Sequence, residues 1–143
     1  MSNHPDREQK LTIRPGPLFS GLAVALVVCM AAVGGVAQLT EDPRANALAA
    51  IGGLAVTGAL FAAGTVVIAS GKPRPASLVG TLWLASTIVR VMGLGLAGIS
   101  IYFAAPSVLL PAAAGAGGAY LVCLVVETAM VARQALKDSQ SAS

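Results

Sequence analysis

The chain has 143 residues, 56% of them hydrophobic and only 10% charged, with nine Lys and Arg against six Asp and Glu. Together with a mean hydropathy of +0.80, this lies outside what a water-soluble domain carries, so lipid is expected to be the solvent for most of the protein. The formal charge of +3 does not indicate a nucleic-acid partner, because the basic residues come in ones and twos and without interleaved aromatics.

Residues 1–17 mix charge with Pro15, Gly16 and Pro17 and read as a polar, mobile tail that ends in a helix-entry signal. The first span is expected over about Leu18–Leu39, uncharged and, as a helix, roughly 33 Å long against a hydrocarbon core of about 30 Å. The small residues Gly35 to Ala37 resemble a signal-peptide cleavage site, but the apolar run exceeds a signal h-region and further spans follow, so the helix is read as retained. A polar turn, Thr40 to Arg44, leads to a second span at 45–69 without a charged residue. Gly71, Lys72, Pro73, Arg74 and Pro75 then end it, since proline and glycine break the helix and the two cations mark an interface. The third span is read as 76–103 and the fourth as 108–132. The turn between them, Ala104 to Ser107, is so short that they are expected to be antiparallel neighbours. The last helix projects a turn or two into a tail, 137–143. The transmembrane domain is thus 18–136.

Orientation follows from the cations flanking the spans. Arg7, Lys10, Arg14, Lys72, Arg74, Arg133 and Lys137 share one side, and only Arg44, beside Glu41 and Asp42, lies opposite. The positive-inside rule puts that side in the cytoplasm. The expectation is an all-α integral membrane protein, a four-transmembrane-helix bundle with both termini cytoplasmic.

Membrane helices associate by close backbone approach, and small residues at helical spacing mark it. Ala55, Ala59 and Ala63 form such a ridge on the second helix, Gly93 and Ala97 on the third, and Gly115 and Ala119 on the fourth. They serve packing within the chain or docking of another Gly/Ala-rich membrane protein. Cys29 and Cys123 lie in apolar runs without CxxC spacing or a nearby His, and read as packing residues; His4 reads as solvated in the tail. No metal or cofactor is expected. With no nucleophile-base set, paired carboxylates or phosphate loop, an enzyme is not expected either.

Two charges lie inside spans. Arg90 falls about 21 Å into the third helix and should face protein or a polar cavity, since an exposed mid-span arginine costs roughly 2.5–3.5 kcal/mol. Trp83, Ser86 and Thr87 precede it on one side of the helix, and their hydroxyls are candidates to share its donors. Arg90 is read either as structural, bonded to carbonyls and hydroxyls, or as recognising a partner's carboxylate or an ion pathway. Glu127, measured from a boundary at Arg133, sits about 9 Å deep, with Tyr120 on the same face. It is read as hydrated near the interface or as making a specific contact. On this reckoning the two charges are offset by about 12–15 Å, too far for a direct pair without helix tilt.

Gly80-Thr81-Leu82, Val89-Arg90-Val91-Met92, Tyr120-Leu121-Val122 and Val126-Glu127-Thr128 ahead of Arg133 resemble the ATP synthase protein I family. The resemblance spans Gly80 to Arg133, with Arg90 at the position of the family's arginine in a late span. It implies a small protein of the bacterial inner membrane, associated with F-type ATP synthase, that assists assembly of the ring of c subunits. Its Gly/Ala ridges would dock the Gly-rich c-subunit hairpins, and Arg90 would meet a polar or acidic group. The alternative is a small ion channel or carrier, with divalent-cation movement also associated with the family. A rotor proteolipid fits poorly because Glu127 lies close to Arg133, and a small multidrug-type exchanger fits poorly because the first span lacks a carboxylate.

Overall fold

In a computed structural model, which describes residues 10–69 and 71–141, four helices occupy almost the whole chain: α1, Pro15–Ala37; α2, Pro43–Ile68; α3, Ala76–Ala104; and α4, Leu109–Ser141. All four are long and apolar enough to cross a membrane. Their outward faces carry Val24, Val27, Leu48, Val66, Leu84 and Val125 in the open, a surface that suits hydrocarbon rather than water. By composition this is a multi-pass membrane protein.

Local chemistry sets the helix ends. Pro15 occupies the first turn of α1, where a missing N–H is harmless. Asp42 caps α2 by accepting from the Ala45 N–H at 3.2 Å, and Pro43 follows it. The end of α2 is sealed by the Ala69 N–H donating to the Thr65 carbonyl. Gly71 then takes a φ of +67°, which reverses the chain without a Cβ clash. A 3₁₀ turn, Pro106–Val108, joins α3 to α4.

Packing is centred on α2 and α4, which make the most extensive contact, with α1 against both. The backbones touch at two places. A Cβ on Gly53 would overlap the Ala112 carbonyl, and one on Gly115 would overlap the Ala50 carbonyl, so each helix supplies the glycine that lets the other approach. Between them the buried Thr57 hydroxyl lies within hydrogen-bond reach of the Gly53 and Ala116 carbonyls, at 3.1 and 3.2 Å. The buried face of α2 is therefore Ala50, Gly53, Leu54, Thr57, Phe61, Gly64, Thr65 and Ile68. The expected ridge of Ala55, Ala59 and Ala63 points outward and does not form the packing face within the chain. On α4, Gly115 and Ala119 are buried as ridge residues, while Gly93 and Ala97 on α3 are half-buried, Gly93 against Leu60.

The third helix departs from expectation. Despite the short turn, α3 meets α4 over only a small area and rests mainly on α2. α4 turns away into the groove between α1 and α2, where the glycine contacts are, and leaves most of α3 exposed.

The expected mobile tail is also partly built in. Lys10–Leu11, β1, pairs antiparallel with Arg74–Pro75, β2. Ile13 is buried with Leu18, Ile68, Ala69 and Val79, and its carbonyl accepts from the Gly71 N–H. The Arg14 N–H donates to Gln134 Oε1 at 2.8 Å. This clasp gathers the N-terminal segment, the α2–α3 loop and the end of α4 at one end of the bundle. His4 and Arg7 lie outside the described residues.

Candidate functional site

Arg90 and Glu127 face each other in the interior, each with 1% of its surface exposed. The guanidinium holds the carboxylate in a two-pronged pair: Nη2 donates to Oε1 at 2.8 Å, and Nη1 donates to Oε2. This corrects the expected 12–15 Å offset and the reading of Glu127 as hydrated near an interface. The error was the reference point. The two depths were counted from different ends, Arg90 from the start of α3 and Glu127 from Arg133, although α4 runs on past Arg133 to Ser141. Counted from the α3–α4 turn, the two Cα atoms differ by about 6 Å in height. The antiparallel side chains close that gap, because each Cα–Cβ bond tilts toward its own helix N-terminus. Arg90 leans toward the clasp and Glu127 toward the turn.

The surroundings are aromatic and small. The Arg90 guanidinium carbon lies 4.1 Å from the centroid of the Phe61 ring, a cation–π contact strengthened by the burial of both side chains. Phe61 in turn meets Tyr120 edge-on, with centroids 5.5 Å apart. Gly64 provides the space: a Cβ there would collide with Arg90 Nη2, Arg90 Nε and Ser86 Oγ. Leu22, Ala25 and Cys123 complete the apolar wall around Phe61.

The polar stripe on α3 does not act as a unit. The Thr87 hydroxyl donates to the Trp83 carbonyl at 2.9 Å rather than serving Arg90. Trp83 belongs to the cluster around Ile13 at the clasp. Ser86 is next to Arg90, yet its Oγ and Arg90 Nε are both buried without a hydrogen-bond partner. Arg90 is thus anchored to a carboxylate and not to carbonyls and hydroxyls. Sequence reasoning missed Phe61 and Gly64; their signal was faint, one aromatic and one glycine in a helix already rich in small residues.

No family model, curated protein or solved structure matches the chain. The site must therefore be read from its chemistry. Both carboxylate oxygens of Glu127 are engaged by Arg90, and Cys29 and Cys123 are separate buried thiols. No group of three metal-ligating side chains occurs among the described residues. What the pair does chemically is join α3 to α4 where little else does. A buried pair of this kind contributes little net stability against an apolar substitute, but breaking it on one side is expensive.

Beside the pair, α3 is flanked by two clefts. One, of about 310 Å³, opens between α2, α3 and α4 toward the turn, with Gly95, Ala97, Gly98, Ala113 and Gly117 among its walls. The other, of about 230 Å³, lies between α2 and α3 over Gly64, Ser86 and Arg90.

Proposed function

We propose that this chain is a non-catalytic accessory protein of F-type ATP synthase in the bacterial cytoplasmic membrane, with both termini cytoplasmic, that assists assembly of the ring of c subunits. The observation that carries this reading is the open flank of α3. A helix held on one side and bordered by Gly/Ala-walled clefts offers a surface for the close backbone approach by which spans associate. Gly95, Gly98 and Gly117 have nothing within 4 Å of where a Cβ would be, so packing within the chain does not account for them. The Gly-rich hairpins of c subunits suit such a surface, and the resemblance over Gly80 to Arg133 to the ATP synthase protein I family favours ATP synthase as the setting.

The ion-carrier alternative is the weaker one. A divalent-cation path needs carboxylates or carbonyls free to bind the ion, and Arg90 occupies both oxygens of Glu127.

The test is a mild-detergent pull-down of tagged protein, with co-purified c subunits scored by mass spectrometry. The expected result is specific c-subunit recovery that falls in Gly98→Leu and Gly117→Leu. Absence of c subunits from the wild-type eluate, or recovery indifferent to both substitutions, would overturn the reading.

A further inference from the structure

We propose that the groove between α1 and α4 holds an acyl chain of an acidic phospholipid whose headgroup phosphate rests on Arg133 and Lys137. The inference goes beyond the accessory role and is independent of it.

The groove, of about 440 Å³, follows the outer seam of the two helices, with Ser20, Val24 and Val28 on one wall and Val122, Val126 and Met130 on the other. From Ser20 to Val28 it is about 12 Å long and runs with the helices, the direction a lipid chain takes in a bilayer. Its walls suit a chain better than a second helix. Close approach of helices needs small residues at the contact, whereas the lips here are branched, with Val24 and Val28 more than half exposed. The glycine in the wall, Gly21, is already covered by the Met130 side chain.

Charge selects the lipid. Val122, Val126, Met130, Arg133 and Lys137 fall within an arc of about 80° on α4, so the apolar wall passes directly into two cations, both exposed. This change of character comes at the clasp, where the Arg14 N–H donates to Gln134 and brings a third exposed cation to the same end. α1 has 23 residues and spans about 34 Å, so a hydrocarbon core of about 30 Å leaves Arg14 and Arg133 at headgroup level. The acids outside the spans whose side chains are described, Glu41 and Asp42, lie at the opposite end of the bundle. Such cations favour a headgroup of net negative charge. A zwitterionic headgroup gains less, because its ammonium opposes them.

The experiment uses full-length Trp83→Phe protein with a single new tryptophan, in phosphatidylcholine vesicles that contain a minority of phosphatidylglycerol brominated on its chains. Val27→Trp reports on the groove, one turn from Val24 and exposed. Ile88→Trp is the control, also exposed and, like Val27, twelve residues from the clasp end of its helix. The expected result is stronger bromine quenching at position 27 than at position 88, and equal quenching at both when phosphatidylcholine carries the bromine. Arg133→Gln and Lys137→Gln should each weaken phosphatidylglycerol association at position 27 about fivefold, and Val24→Phe, which fills the groove, should remove the excess. Equal quenching at the two positions by phosphatidylglycerol, or the same excess from phosphatidylcholine, overturns the preference for an acidic lipid. An excess that survives Arg133→Gln/Lys137→Gln overturns the headgroup assignment, and one that survives Val24→Phe overturns the groove. None of these results depends on c-subunit recovery, so the accessory role is tested separately.

Discussion

Replacing Glu127 with Leu strips Arg90 of both hydrogen bonds and of its counter-charge, with Nε already unpartnered. Only the face of Phe61 remains, a contact of about 2 kcal/mol when desolvated. Removing one side of a buried pair costs about 3–5 kcal/mol, so the folding equilibrium should fall by roughly two to three and a half orders of magnitude. Arg90→Leu leaves the Glu127 carboxylate equally without its partner and should cost a comparable amount. The double variant Arg90→Leu/Glu127→Leu should return to within about 1.5 kcal/mol of wild type, since an apolar pair of similar size is often as good as a buried ion pair. Unfolding by SDS from mild-detergent micelles is the assay, followed through Trp83, the sole tryptophan, which packs near Ile13 and Val79. A double variant destabilised by the sum of the two single changes would refute the reasoning, because independent sites add and coupled ones do not.

Other expectations follow from the same contacts. Gly115→Ala should destabilise by about 1–3 kcal/mol in that assay, since its Cβ would meet the Ala50 backbone. Gly117→Ala, with open space around it, should stay within about 0.5 kcal/mol. Thr57→Val removes the hydroxyl near the Gly53 and Ala116 carbonyls and should cost roughly 0.6–1.7 kcal/mol, the range for hydrogen bonds between spans. Gln134→Ala releases the Arg14 amide, which should then exchange its hydrogen faster in deuterated buffer. In intact cells, Lys72→Cys should resist an impermeant thiol reagent that labels Glu41→Cys, and the reverse pattern would invert the proposed topology.

The four helices were legible because each apolar run is long and is closed by proline, glycine or charge, and the expected spans differ from the helices by a few residues at most ends. The exception is the end of α4, where a polar tail continues the helix to Ser141. The Arg90–Glu127 pair was hidden because the two depths were counted from different ends; from the short turn that joins the two helices they lie within about 6 Å of one height. The packing face of α2 was hidden for another reason. In lipid both faces of a span are apolar, so Ala55, Ala59 and Ala63 carry the same spacing signal as Gly53, Thr57 and Gly64. Only the backbone crossing with α4 distinguishes them. The limited contact between α3 and α4 was likewise out of reach, because a short turn fixes where two helices meet and not how far they stay together.

The Arg90–Glu127 pair also ties the polarity of α3 to the presence of α4. Taken alone, α3 presents a bare mid-span arginine, which lowers its preference for lipid by roughly 2.5–3.5 kcal/mol. The carboxylate that relieves this arrives 37 residues later, when α4 follows through the short Pro106–Val108 turn. The completed hairpin of α3 and α4 therefore suits hydrocarbon better than α3 by itself.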